Sequence, residues 1–342
     1  MSLAAQEIFL RRSPQGVPEE ADFGLRAYAL GEPAQGEARV EVLALSLDPY
    51  QRSAIAGRHL SSSILPGDTL RGEGLVRVLR SRHERWREGE LWVAACGWRS
   101  HALLGADEIA AARPVDTRWQ PPTLALGVLG MPGLTAWAGL RLLSAARAGD
   151  TLVVSAAGGP VGATVGQLAR RLGCRVIGIA GGADKSAWVK EAAGFADCID
   201  YRREDLRAAL DERCPRGIDV YFDNVGGATL DAVSERLAPG ARVVLCGLAA
   251  QYNGGPLPGP NPGLFIRARA TLRGLVVYDH WERYPEMVAE IAPLIVAGEM
   301  AFREDRSRGL ASAPAAFCRL MRGENQGKAL VILDETFGKG RA

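Results

Sequence analysis

Residues 151–173, TLVVSAAGGPVGATVGQLARRLG, constrain this chain more than any other stretch of it. An apolar run of strand type leads into a turn of small residues and then into a helical repeat. The turn reads Ala157-x-Gly159-x-x-Gly162, the fingerprint of a dinucleotide-binding turn with Ala in the first place. Small residues are needed there for steric reasons. Gly159 lets backbone N–H groups approach a pyrophosphate, and Gly162 lets the helix pack close to the strand. The helix N-terminus then stabilises the anion. The strand before, the helix after and a second strand, RVIGIA, about 20 residues on supply the context that the motif requires.

The alternation continues through IDVYFDNV, ARVVLCG and TLRGLVVYD, mostly separated by stretches of helical length such as LDAVSERLAPG. It predicts an α/β fold, a doubly wound parallel sheet with helices on both faces. Before residue 151 the texture differs. EARVEVLALSLD, GEGLVRVLRS and ELWVAACGWRSHALLG are short, β-rich and broken by Gly and Pro, as in an antiparallel barrel or sandwich. A chain of 342 residues accommodates both as separate domains. After about residue 300 comes a helix-like SAPAAFCRLMRG and a final strand, KALVILD. That strand must pair somewhere, and periodicity leaves both the parallel sheet and the β domain open. SSS at 61–63 and GGPLPGPNPG at 254–263 read as loops, the second a candidate mobile one.

Lys plus Arg number 41 against 39 Asp plus Glu, and they are scattered, so no nucleic-acid-sized basic footprint exists. The charge-free run 121–140 approaches membrane-spanning length. Pro132 and the glycines at 127, 130, 133 and 139 make it buried helices instead. The six cysteines, at 96, 174, 198, 214, 246 and 318, form no CxxC pair, and Glu7 and Arg11 interrupt any secretory segment. Reduced thiols in a cytoplasm are expected.

Cofactor type is decided where the second strand ends. An NAD site usually places Asp or Glu there for the ribose 2′-OH. This chain has Gly181-Gly182, with Lys185 just beyond as a point charge for a 2′-phosphate, so NADPH/NADP+ is predicted. Asp184 dissents, but at a helix start it is more simply a partner of the helix dipole. A catalytic zinc needs three protein ligands. The first 150 residues offer one cysteine, Cys96, and the scattered His59, His83 and His101, and RGEG stands at 71–74 where a Gly-His-Glu ligand motif would sit. No metal is expected.

Ten segments in order, LSLDPYQR, LGMPGLTAWAGL, AAGGPVGATVGQLAR, GGADK, CIDYR, YFDNVGG, LCGLAAQYN, LRGLVVYD, PAAF and GENQGK, carry a resemblance over nearly the whole chain. The chain resembles the zinc-independent medium-chain reductases that act on conjugated carbonyls, the family of leukotriene B4 12-hydroxydehydrogenase/prostaglandin reductase and curcumin reductase. The resemblance implies a Rossmann NADP-binding domain at 125–300. It also implies a GroES-like, mostly antiparallel β domain at 1–124, completed by the C-terminal tail 301–342. A homodimer is implied as well, to which TLRGLVVYD could contribute an edge strand.

By the same resemblance Gly159, Pro160, Val161, Gly162 and Ala163 hold the pyrophosphate, and Lys185 and Tyr201 bind the 2′-phosphate end. Asn224, the turn with Cys246, Gly247, Leu248 and Tyr252, then Val276, Val277, Tyr278 and Asn325 line the nicotinamide side. Tyr50 and Tyr252 match family tyrosines near the substrate carbonyl. The family pattern has Met where this chain has Gln51. The implied activity is reduction of the carbon-carbon double bond of an enal or enone. Hydride at the β-carbon drives charge onto the carbonyl oxygen, so a hydrogen-bond donor is needed there. A tyrosine, protonated near neutrality, can donate. A quinone oxidoreductase and a non-catalytic NADPH-binding sensor are the alternatives.

Overall fold

The computed structural model describes residues 3–57 and 63–334. His59 and the serines at 61 and 62 lie outside the described residues. Two compact units are present, Met1–Leu126 with Glu304–Ala342, and Gly127–Arg303.

The first unit opens with an antiparallel ribbon of β1 (Leu3–Leu10) and β2 (Phe23–Leu30). Its larger sheet is built on β3 (Ala38–Ser46), followed by helix α1 (Tyr50–Ile55). β4 (Gly74–Ser81) pairs with β3 and β5 (Leu91–Ala94), and β6 (His101–Leu104) pairs with the start of β3. Helix α2 (Ala106–Ala111) and the short β7 (Arg113–Pro114) complete this part. Ile8, Val40, Val42, Val76 and Val78 are buried in one apolar core. Trp98 packs there against Phe23 and edge-on to Phe317, at ring separations of 6.1 and 5.5 Å, the geometry that aromatic quadrupoles favour.

The second unit begins with α3 (Met131–Ala138). Strands and helices then alternate: β8 (Thr151–Ser155), α4 (Pro160–Arg171), β9 (Arg175–Ala180), α5 (Ala183–Glu191), β10 (Asp197–Asp200) and α6 (Leu206–Arg213). β11 (Ile218–Asp223), α7 (Gly227–Ser234), β12 (Leu237–Leu245), α8 (Pro262–Ala268), β13 (Thr271–Gly274) and α9 (Tyr284–Val296) follow. The six strands are parallel in the order β10-β9-β8-β11-β12-β13. β8 is buried at all five positions, which is why it reads as a continuous apolar run rather than an alternating one. The order reverses between β8 and β11, so the crevice beyond the carboxyl ends of these two strands is where an open α/β sheet takes its ligand.

Two elements depart from the sequence pattern. β12 starts at Leu237, inside the segment read as helix. Gly240, at φ +79°, sits where the register of β11 on β12 shifts between Ile218 and Val220. β13 stops at Gly274, and the last three residues of the expected strand, 277–279, wind into a 3₁₀ helix that runs to Arg283.

The chain then adds β14 (Glu304–Arg308), α10 (Ala313–Met321) and β15 (Lys328–Ile332). β15 pairs antiparallel to β3, with Leu330 opposite Ser46, and β14 lies parallel beside it. The terminal strand therefore completes the first unit's sheet, which resolves the alternative left open by periodicity. Region 121–140 forms a 3₁₀ turn (Pro122–Leu126), α3 and the start of a π-helical turn. Among the described residues no helix is long and apolar enough to cross a membrane.

Candidate functional site

The carboxyl ends of the second unit's strands carry most of the residues nominated from sequence. After β8 the chain makes its turn through Ala156, a non-glycine residue at φ +51°. Gly159 N–H closes that turn on Ala156 C=O at 2.9 Å, and Gly159 is the N-cap of α4. A Cβ at Gly162 would lie 2.5 Å from Ala156 O and 2.9 Å from Ala157 Cα, so helix and turn are in backbone contact. Pro160 has no N–H, and Ala163 N–H is already bonded to Gly159 C=O at 2.9 Å. The donors that this turn offers an anion are therefore the N–H groups of Val161 and Gly162, backed by the helix dipole. This cradle, whose space a Cβ would fill, fits a dinucleotide pyrophosphate.

After β9, Gly182 takes φ +101°, which glycine adopts without strain. Its N–H donates to Asp200 Oδ1 at 2.7 Å, and Arg202 N–H donates to the same oxygen at 3.1 Å. The buried Asp200 carboxylate thus turns Oδ1 onto one backbone donor of the loop after β9 and one of its own loop. Lys185 lies on the first turn of α5, its stem against Gly158, where a Cβ would come within 3.3 Å of Lys185 Cβ. Tyr201, half-exposed, lays its ring on Gly181, where a Cβ would be 2.8 Å from Tyr201 Oη. Two glycines thus make room for the lysine and the tyrosine beside the turn. Asp184 is exposed in the first turn of α5.

At the crevice, fully buried Asp223 accepts from Ser155 Oγ at 3.0 Å, Tyr221 Oη at 2.7 Å, and the N–H groups of Val225 and Gly226 at 3.0 Å. Ser155 Oγ in turn accepts Asn224 N–H at 2.8 Å, and Asn224 Nδ2 donates to Ser155 C=O at 2.8 Å. Asn224, which follows β11, is thus tied to the end of β8 through both its backbone N–H and its side-chain amide. Gly247 allows the next loop to approach, since a Cβ there would be 2.8 Å from Asn224 O. Leu248 N–H reaches Tyr252 Oη at 3.4 Å. Burial raises the Tyr252 phenol above its usual value, the hydrogen bond from Leu248 opposing it, so Tyr252 is a protonated donor at neutral pH. Burial likewise pushes the Cys246 thiol up to about 12, which makes it inert. Val276, Val277 and Tyr278 follow β13 and are partly or well exposed.

Sequence reasoning missed Ser155, Asp223 and Asp200, the groups that hold the nominated residues. No motif points to a buried carboxylate that gathers backbone N–H groups from the loops around it.

Tyr50 and Asn325 belong to the other unit. Tyr50 opens α1, and Asn325 Nδ2 donates to Gly327 C=O at 2.7 Å in the turn before β15. Gln51 is buried, and its polar atoms are spent on backbone: Oε1 accepts Asp48 N–H at 2.9 Å, and Nε2 donates to Arg71 C=O at 3.0 Å and Ser46 C=O at 3.3 Å. It braces the loop rather than offering a polar group to a substrate. Cys96 is buried, and His83 and His101 stand apart. Among the described residues no three His, Cys, Asp or Glu side chains form a group that could hold a metal ion.

Residues 160–293 match the family described as zinc-binding dehydrogenase, and residues 6–111 match the N-terminal domain of oxidoreductase. The chain is 36% identical over 331 residues to the NADPH-dependent curcumin reductase of Escherichia coli (strain K12), covering 94% of this chain and 95% of that one. It is 36% identical over 327 residues to prostaglandin reductase 1 of Bos taurus, covering 94% and 97%. The crystal structure of CurA in complex with NADPH from Vibrio vulnificus superposes with a TM-score of 0.90 at 38% identity, over 96% of this chain and 98% of that one. Family match, fold and near-complete coverage agree: the chain belongs to the medium-chain dehydrogenase/reductase family, in the group of the curcumin and prostaglandin reductases.

Proposed function

We propose that this protein is an NADPH-dependent reductase of the carbon-carbon double bond of α,β-unsaturated aldehydes and ketones. The observation that carries the reading is the end of β9. There Lys185 and Tyr201 flank a pair of glycines, while the nearby Asp200 carboxylate is bound to backbone N–H groups. A lysine and a tyrosine beside the end of β9, where an NAD site usually places a carboxylate for the ribose 2′-OH, suit a 2′-phosphate, and the likeness to an NADPH-dependent curcumin reductase supports the same assignment.

When bound, NADPH supplies the hydride that the β-carbon of the substrate receives. Val161 and Gly162 hold the pyrophosphate through their N–H groups, with Gly159, Pro160 and Ala163 shaping the turn. Asn224 offers its Oδ1 as an acceptor on the nicotinamide side, where Cys246, Gly247, Leu248, Val276, Val277 and Tyr278 form the wall. The Tyr252 phenol donates a hydrogen bond to the substrate oxygen as the enolate forms, and the α-carbon then takes up a proton. Tyr50 and Asn325 are assigned to the substrate carbonyl and the nicotinamide from the family resemblance. The division of labour follows the same likeness: 125–300 for the cofactor, and 1–124 with 301–342 for the substrate. We further place the enzyme in the cytoplasm as a homodimer. The six cysteines are all free thiols, and β13 is an exposed edge strand carrying Leu272.

The test follows NADPH absorbance with a simple enone such as 4-phenyl-3-buten-2-one and identifies the product. A saturated ketone supports the proposal. Turnover confined to quinones, giving hydroquinone, replaces it with a quinone reductase, and NADPH binding without turnover of either class replaces it with a sensor.

A further inference from the structure

In residues 46–52 only Pro49 and Tyr50 reach the surface, while Ser46, Leu47, Asp48, Gln51 and Arg52 are buried. Most of the buried side chains that flank Tyr50 in the chain are polar. Lys328, the first residue of β15, is 3% exposed, and its Nζ donates to Asp48 Oδ1 at 2.5 Å and to Leu47 C=O at 3.0 Å. Asp48 also accepts from Ser46 Oγ, and Gln51 closes the turn by accepting Asp48 N–H and donating its own N–H to Asp48 C=O at 3.1 Å. The other arm of this ion pair leads to the turn before β15. There Gln326 N–H is held by Asp305 Oδ2 at 3.0 Å, Asn325 bonds Gly327 C=O, and Gly327 turns the chain at φ +90°. The two segments of the first unit that carry nominated site residues are thus pinned to one buried ion pair, Tyr50 two residues after Asp48 and Asn325 three before Lys328.

Desolvating two charges is costly, and a buried ion pair is often no more stabilising than apolar residues of the same volume. Its value here lies in geometry: a short ammonium-carboxylate contact with every partner fixed leaves the loop one conformation. We propose that Lys328 and Asp48 are positioning residues for the reduction, setting Tyr50. The proposal rests on the assignment of Tyr50 to the substrate side.

The experiment is a double-mutant cycle in the full chain, with saturating NADPH and 4-phenyl-3-buten-2-one, comparing K328M, Y50F and K328M/Y50F. NADPH affinity and thermal melting are read alongside. If the pair acts through Tyr50, K328M lowers kcat by about ten-fold or more, as expected for a reacting group displaced by a fraction of an ångström, while NADPH Kd stays within about three-fold. In the Y50F background the same substitution then costs less than about two-fold. A loss that is undiminished in that background, or an unchanged kcat in K328M, overturns the positioning role. A Y50F variant with full kcat overturns the assignment of Tyr50 itself, and the proposal with it. D48N keeps the size and an acceptor for Lys328, and it carries the same criteria if K328M does not fold.

Discussion

Gly162 and Gly159 occupy the same turn, but the structure separates their roles, and Ala substitution tests the separation. At Gly162 the added Cβ meets Ala156 O at 2.5 Å and Ala157 Cα at 2.9 Å, against 3.4 Å for ordinary contact, so backbone must yield by about 0.9 Å. Both partners are backbone of the turn after β8, which cannot swing aside as a long side chain could. Overpacking of this kind costs ~1–3 kcal/mol. At ~2–4 °C of melting temperature per kcal/mol for a unit of this size, Gly162→Ala should melt roughly 2–12 °C lower without cofactor. The same displacement moves the Val161 and Gly162 N–H donors, and each charge-assisted hydrogen bond lost weakens NADPH by about ten- to a hundred-fold. At Gly159 the only close atom is Ala156 O at 3.3 Å, and φ is −87°, which any residue adopts. Gly159→Ala should therefore leave the cofactor-free protein nearly as stable as before and lose NADPH affinity alone. Thermal melting with and without NADPH, and fluorescence titration of NADPH, read both effects. A Gly162→Ala protein that melts normally and binds NADPH normally would refute the packing argument. Equal destabilisation of the two cofactor-free variants would refute the division of roles.

Lys185→Ala should reduce the preference for NADPH over NADH by about ten- to a hundred-fold, measured as a ratio of Kd values; an unchanged ratio removes Lys185 from the 2′-phosphate site. Tyr252→Phe should lower kcat on an enone by about a hundred-fold with little change in NADPH affinity, and full kcat where hydride transfer is rate-limiting returns Tyr252 to a packing role. Because burial raises the Tyr252 pKa, its donor form persists to above pH 10. The kcat profile should therefore show no Tyr252-dependent fall below that pH, and the group's contribution to stability, fully present below pH 10, is lost only as pH rises further. Exhaustive chelation should leave activity intact, whereas stoichiometric zinc whose removal abolishes turnover would overturn the metal-free reading. Light scattering at micromolar concentration should give the mass of a dimer, and a monomer mass would remove that proposal.

The parallel unit was legible because burial on both faces writes apolar runs such as TLVVS and RVIGIA directly into the sequence. The turn at 157–162 was legible because steric demand there excludes most side chains. β14 was not: EDRSR is held by backbone pairing to β15 at a sheet edge, and its charged and polar residues leave no apolar signal. The shortened β13 and the early start of β12 escaped for a related reason, since strand ends are set by the neighbour's register rather than by local preference. At the site, pattern nominated residues around the strand ends but missed the carboxylates of Asp200 and Asp223 that hold the backbone of these loops. What Gln51 does was not legible either, because its three bonds run to backbone groups that no motif records.

The pairing of β15 with β3 also orders events during synthesis. Residues 127–303 form a contiguous unit, whereas the first unit lacks β14 and β15 until the ribosome has passed that whole insert. At ~5–20 residues per second, an intervening segment of roughly 180 residues delays completion by about 9–35 s. Throughout that interval the edge of β3 at residues 44–46 is without the neighbour that later covers it, and Asp48 waits for the ammonium of Lys328. The nascent chain therefore carries an open strand edge ending in an unmatched carboxylate while its nucleotide unit can already fold, and holding that edge is where a chaperone would be needed.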